Sequence, residues 1–180
     1  MALSKEVPFT VEYMLNLPDG QRAELIDGVV YDMASPSRIH QKIVTKLSSR
    51  VDQYLTSTGG KCEVYVAPFA VILDQDDDTY VEPDLSVICD PDRLSDRGCE
   101  GAPDWIIEVV SKSSRELDYY IKLMKYRAAG VRVYWIADPL RRVVRVYNFT
   151  NEDETADYSF DEDIPVFIYP DFSLRFSDFE

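Results

Sequence analysis

A glutamate set in a run of aliphatic residues is the first chemical anomaly of this chain. Glu108 lies in Trp-Ile-Ile-Glu-Val-Val, residues 105–110. Such a run has the composition of a buried central strand. A carboxylate there faces a desolvation cost unless it is paired or ligates a cation. Asp84, in Val-Glu-Pro-Asp-Leu-Ser-Val-Ile, is a second acid at the start of an apolar strand. Two carboxylates at the ends of neighbouring strands can grip a hard divalent cation such as Mg²⁺, whose ligands are oxygen. Asp104 competes with Asp84 as the partner of Glu108. Four residues separate it from Glu108, about 13 Å along one strand at roughly 3.3 Å per residue, which is too far to share an ion. Glu108 is therefore paired with Asp84, and Asp104 is read as the residue that begins the strand. Phosphoryl transfer also wants a cation near the attacking water, and Lys122 is the candidate. Taken alone, Asp118 and Lys122 are an exposed i,i+4 pair worth only about 0.2–0.5 kcal/mol.

The elements that must position these residues can be read from periodicity. Thr10 caps a short helix over 11–17 that Pro18-Asp19-Gly20 stops. Residues 22–26 and 29–33 alternate around Asp27-Gly28, a strong signal for a two-residue hairpin turn. Ser35-Pro36-Ser37 opens a helix over 38–56, which Gly59-Gly60 ends. Strands follow at 62–73, with Pro68 marking a bulge or edge, and at 81–89. An acidic turn over 74–78 separates them, and a loop spans 90–101. The buried strand covers 104–110, with Asp104, Ile106, Glu108 and Val110 on one face. Ser113 and Glu116 form a capping box for a helix that Gly130 closes. Leu117, Ile121, Met124 and Ala128 make its apolar stripe, and Asp118, Lys122 and Lys125 flank it. A strand at 131–137 turns at Asp138-Pro139 into another at 142–149. An acidic segment, looped in its first half, leads to weak strands at 165–169 and 173–176. The order describes a mixed α/β domain whose helices cover a central sheet.

Composition sets outer limits. With 180 residues, 46% hydrophobic and 29% charged, residues 1–180 make one domain with a real core. Chains of this size bury roughly 70% of their unfolded surface. Three cysteines, Cys62, Cys89 and Cys99, exclude a disulfide scaffold and are too few for a zinc ribbon. The longest mostly apolar stretch, 64–73, is half the roughly 20 residues that cross a bilayer, so no membrane partner is expected. The opening MALSKEVPF holds no apolar core for a leader, and the expected location is the reducing cytoplasm. A net charge of −14 argues against a protein that simply coats nucleic acid. Residues 111–145, however, carry nine Lys/Arg against three acids. That segment can still address a phosphate, or form the solvated faces of a helix and a hairpin.

Four stretches carry a family resemblance: ELIDGVVYDMASPSRIHQKIV (24–44), EPDLSVICD (82–90), GAPDWIIEVVSKSSRELDYYIKLMKYRAAGVRVYWIADP (101–139) and VFIYPDFSL (166–174). In these the chain resembles the Uma-two family of restriction-endonuclease-like proteins, within the PD-(D/E)XK nuclease superfamily. The resemblance implies an αβββαβ nuclease core, here with an N-terminal hairpin and C-terminal strand additions. It implies that Pro83-Asp84 is the PD element and Glu108 the second acid. Asp84, Glu108 and the carbonyl after Glu108 would hold Mg²⁺, with Mn²⁺ as a substitute, for hydrolysis of phosphodiester bonds in DNA. The superfamily lysine belongs two residues after Glu108, where this chain has Val110. Lys122 on the following helix takes its place, with Lys125 as the fallback. Glu24 and His40 match recurring family positions, and Ser111 either contacts phosphate or begins the helix. Tyr134 and Trp135 are read as core. The competing reading is a nuclease-fold module without turnover, acting as a dimeric binding or regulatory protein. The strand over 80–88 and the C-terminal strands are the edges a homodimer would use. A small-molecule phosphodiesterase would differ only in substrate.

Overall fold

The computed structural model describes residues 9–18, 20–73, 78–150 and 154–180. In chain order the elements are α1 (Val11–Leu15), β1 (Ala23–Ile26), β2 (Val29–Asp32), α2 (Arg38–Thr58), β3 (Glu63–Val66), β4 (Val71–Ile72), β5 (Tyr80–Val81) and β6 (Leu85–Ile88). There follow β7 (Leu94–Ser95), β8 (Gly98–Glu100), β9 (Trp105–Val109), α3 (Leu123–Ala129), β10 (Val133–Asp138), β11 (Val143–Asn148), β12 (Glu154–Ser159), β13 (Ile164–Pro165) and β14 (Ser173–Leu174). Two six-stranded sheets result, ordered β12-β11-β10-β9-β6-β3 and β2-β1-β5-β4-β8-β7.

β9 is buried along its whole length, because it lies between β10, to which it runs parallel, and β6, to which it runs antiparallel. Its alternate residues serve two cores. Trp105, Ile107 and Val109 meet Ile43, Leu47 and Val51 of α2. Ile106 and Val110 meet Tyr126 and Ile136, together with Ile26, Val71 and Val81 of the second sheet. Trp105 and Trp135 pack edge to face, 5.0 Å between centroids, a geometry worth about 0.5–1.5 kcal/mol beyond area burial. Glu108 shares the face of Ile106 and therefore looks toward α3 and the second sheet.

The β1–β2 hairpin forms where expected, with Asp27 at φ 52° and Gly28 at φ 73°, the two positive angles of a type I′ turn. α2 starts at Ser37, whose hydroxyl accepts the His40 N–H, and ends on left-handed Gly59. Its last turn reaches two residues beyond the expected 56.

Both long strands expected from the sequence divide at a proline. Residues 62–73 split into β3 in one sheet and β4 in the other, around a cis Ala67–Pro68 bond. Residues 81–89 likewise split, with β5 in the second sheet and β6 in the first, and Glu82-Pro83-Asp84 cross between them. Proline cannot donate to a ladder, so the chain changes partners there. The expected loop over 90–101 contains the small β7–β8 pair. Most of the acidic turn over 74–78 lies outside the described residues. The acidic segment after Asn148 supplies β12, whose Arg145–Asp157 ion pair ties it to β11.

A disulfide joins Cys62 to Cys89, directly beyond the β3–β6 pairing of Glu63 with Ile88, and Cys99 is free and buried. The cysteine count predicted no disulfide framework. Strand pairing nevertheless brings two of the three thiols together, one bridge rather than a scaffold. Among the described residues no helix is long and apolar enough to cross a membrane.

Candidate active site

The predicted site residues converge at the seam between the two sheets. Glu24 comes from β1, Asp84 from the crossing before β6, Glu108 from β9 and His40 from the first turn of α2. Asp84 and Glu108 hold one another through the main chain. The Asp84 N–H donates to Glu108 Oε2 at 3.2 Å, and the Val109 N–H donates to Asp84 Oδ2 at 2.8 Å. His40 Nε2 stands 3.0 Å from the same Asp84 oxygen. Asp104 plays the part expected of it, accepting the Cys89 N–H and pairing with Arg132, away from these acids.

Lys122 supplies the cation. Its Nζ lies 2.8 Å from Glu24 Oε1, 2.9 Å from Glu108 Oε1 and 3.6 Å from Asp118 Oδ1. The side chain is 4% exposed, so the reading of Asp118 and Lys122 as an exposed pair is overturned. The cause is local. Leu117–Lys122 is a π-helical turn preceding α3. Such wider turns inside helices recur at functional sites. Asp118, Lys122 and Tyr126 all point inward, while Met124, expected in the apolar stripe, is 63% exposed. Lys125 is directed elsewhere, to Asp27 in the hairpin turn. Val110, where the superfamily lysine would stand, is buried in the apolar cluster around Ile106.

The helix begins differently from the expected box of Ser113 and Glu116. Ser111 and Ser114 cap one another instead, each hydroxyl accepting the other's N–H at 3.0 Å. Ser111 thus sits in the turn that leads into the helix, which starts at Arg115. Ser114 also hydrogen-bonds the Asp118 carboxylate.

Two members of the site were missed by sequence reasoning. Tyr126 donates its hydroxyl to Glu108 Oε1 at 2.8 Å, and Asp118 was assigned to an exposed flank. Their signal was present as Asp118, Lys122 and Tyr126 at a strict spacing of four. Tyr134 is buried in the core as expected and donates to the Asp118 carbonyl at 2.9 Å.

Electrostatics follow from burial and from the excess of acids over cations. Burial pushes the Glu108 and Asp118 carboxyls upward, although the neighbouring ammonium of Lys122 pulls both down. Burial opposes the charge of Lys122, but Glu108, Glu24 and Asp118 together hold its pKa well above the ordinary value. His40 is also raised. Burial lowers it, and the hydrogen bond and charge of Asp84, with a contribution from Asp118, outweigh that.

Asp84 Oδ1 accepts no hydrogen bond among the described residues, and the side chain is partly exposed, so this oxygen has lone pairs open to a ligand. Among the described residues no group of three or more His, Cys, Asp and Glu side chains is arranged as a ready-made ion cage. Two carboxylates and a main-chain carbonyl suit Mg²⁺, which dehydrates reluctantly and usually takes one or two carboxylates plus waters and phosphate oxygens. Both Glu108 oxygens are, however, already engaged, Oε1 by Lys122 and Tyr126 and Oε2 by the Asp84 N–H, so an ion there would share Glu108 with these donors.

The basic segment is largely neutralised within the chain. Arg115 pairs with Asp138, Arg132 with Asp104, Arg142 with Asp161 and Glu180, and Arg145 with Asp157.

Comparison with known proteins accords with this geometry. An uncharacterized protein from Synechocystis sp. is 32% identical over 124 residues, 66% of this chain. The match spans 63% of that relative, so the chain covers less than two thirds of its length. A crystal structure described as "a putative nuclease belonging to DUF820", from Anabaena variabilis, superposes with a TM-score of 0.78 at 22% identity. That likeness covers 96% of this chain and 97% of the other, and it establishes a shared fold. The family model Uma2 matches residues 11–176. By that match, which spans both sheets and every residue of the seam, the chain belongs to the Uma2 family, described as "Putative restriction endonuclease".

Proposed function

We propose that this protein is a metal-dependent endonuclease that hydrolyses phosphodiester bonds in DNA. The observation that carries the reading is the meeting of Asp84 and Glu108 with Lys122, whose ammonium reaches Glu108 from a different element at 2.9 Å. Asp84, Glu108 and the Val109 carbonyl would hold Mg²⁺, with Mn²⁺ able to replace it. Such an ion polarises a phosphate oxygen and makes bound water acidic. The chain's own groups do the rest. Lys122 neutralises charge developing on the phosphate, in a buried setting where a fixed cation acts strongly. Glu24 and Asp118 hold that ammonium in place, and Tyr126 fixes the Glu108 carboxylate. His40 orients Asp84. A cytoplasmic location belongs to the same proposal, and there the Cys62–Cys89 pair would stand as a dithiol.

Incubation of supercoiled and linear DNA with purified protein and Mg²⁺ or Mn²⁺ tests this reading. Cleavage is expected for the wild type and a loss of at least about a hundredfold for Asp84→Ala and for Glu108→Ala. Intact DNA with both metals, and no difference between wild type and variants, would sink it.

A second reading has one observation in its favour. Most cations of the basic segment are paired with acids of the same chain, which leaves little positive surface for a polyanion. A nuclease-fold module that binds without turnover, as a homodimer or with another partner, would need no such surface. Calorimetric titration with Mn²⁺ separates the two: binding that disappears in Glu108→Ala favours the enzyme, and absence of binding favours the module.

A further inference from the structure

A cavity of about 290 Å³ opens beside the catalytic seam, lined by Pro68, Phe69, Tyr80, Glu82, Ser95 and Arg97 among others. The two crossings between the sheets tie it to the acids. Glu82 lies two residues before Asp84, and its N–H donates to Glu24 Oε1 at 3.0 Å. Pro68 follows Ala67, whose N–H donates to the Asp84 carbonyl. The cavity wall is therefore joined to Asp84 by the two-residue step from Glu82 and by the backbone bond from Ala67, next to Pro68.

Its lining has the chemistry of a base site. Phe69, half-buried against the core, lines the cavity and stacks on Tyr65, centroids 4.1 Å apart and planes 12° from parallel. Glu82 Oε2 takes both Arg22 donors, while Oε1 accepts only the Tyr80 hydroxyl, which leaves an acceptor for a base N–H. Asp96 and the Ser95 hydroxyl are further polar edges. Arg97 is exposed and makes no ion pair among the described residues, so it can meet a flanking phosphate. The volume lies at the small end of ligand pockets, enough for one base and too small for a base pair. An aromatic face can receive only a base that has left its stack.

We propose that this cavity receives one unpaired nucleobase of the substrate, next to the phosphate that an ion at Asp84 and Glu108 would bind, and that the protein prefers single-stranded to duplex DNA. The inference rests on the nuclease reading above, but its test does not need cleavage. The full-length protein without metal is titrated with the four deoxynucleoside monophosphates and with deoxyribose 5-phosphate, and with one oligonucleotide as single strand and as duplex. Nucleotides are expected to bind about tenfold or more tightly than the base-free sugar phosphate, and the single strand more tightly than the duplex. Phe69→Ala is expected to weaken nucleotide binding by about tenfold, and Phe69→Tyr to preserve it. Should Phe69→Ala lose its fold, Phe69→Leu keeps the apolar volume without the aromatic face and is expected to weaken binding likewise. The proposal is overturned if no nucleotide binds, if the sugar phosphate binds equally well, or if folded Phe69→Leu binds as the wild type does. Base-dependent binding without cleavage anywhere would remove the nuclease reading and leave the base site. Cleavage without base dependence would do the reverse.

Discussion

Lys122 is the residue on which three carboxylates depend. Glu24, Glu108 and Asp118 all lie within 4 Å of its ammonium, and all four side chains are nearly inaccessible to water. Removing one partner of such a group costs about 3–5 kcal/mol, because an uncompensated buried charge is left behind. Lys122→Met is therefore expected to lose cleavage and about that much stability at pH 8, measured by urea unfolding. The sign of the pH dependence follows from the raised carboxyl pKa values. Without the ammonium that pulls them down, Glu108 and Asp118 move further upward. An acid raised on folding favours the folded state fully below its unfolded pKa, near 4, and loses that contribution as the pH rises through the folded value. The stability deficit of Lys122→Met should thus shrink between pH 8 and pH 5. A deficit that stays constant across that window would mean that the ammonium is not what balances these acids.

At the scale of elements, the two prolines that divide the long strands create the seam. Each division sends the chain from one sheet to the other, and Asp84 lies on one of these crossings. The second sheet in turn depends on close backbone approach at β8. Gly98 has φ +129°, and a Cβ there would lie 2.3 Å from the Ala70 carbonyl oxygen. Gly98→Ala is expected to cost about 2 kcal/mol or more, since both the backbone conformation and the contact forbid it. The loss should appear as faster amide exchange in β4 and β8, which pair at Val71–Cys99 and Ile72–Glu100. Unchanged exchange with unchanged stability would show that the sheet can shift to admit the methyl group.

For the whole molecule, charge is the dominant property. The net value is −14, and the segment that is locally basic spends most of its cations on internal acids. Few cations therefore remain to displace counterions from a nucleic acid. If DNA is the substrate, the slope of log Kobs against log salt should be shallow, no steeper than about −3. Fluorescence anisotropy between 50 and 200 mM salt, a range of the kind over which proteins with many phosphate contacts lose about a thousandfold or more in affinity, measures it. A steep slope would mean that the internal ion pairs open to meet phosphate.

Periodicity alone was enough for the hairpin at Asp27-Gly28, for α2 between Ser37 and Gly59, and for β9 as the buried strand. In each, local rules and the final packing agree: positive φ at a tight turn, a hydroxyl cap, an unbroken aliphatic run. Glu108 stood out for a reason that is also local, since a carboxylate among Ile and Val needs a partner. Asp84 and Lys122 could be named as its partners, the first by excluding Asp104, but local rules do not bring them together. Asp84 meets Glu108 because two strands distant in the chain pair, and no pattern of hydropathy encodes that register. The inward turn of Asp118, Lys122 and Tyr126 arises from a π-helical segment. A spacing of four marks one face of a helix but not whether that face is buried, and burying a charged row becomes favourable only once the opposing carboxylates are in place. Cys62 and Cys89 lie together for the same reason as the acids do, through the pairing of β3 with β6. Residue types and their local order thus determined which groups needed partners, and the tertiary structure decided which partners they found, because Coulomb attraction and burial act through space rather than along the chain.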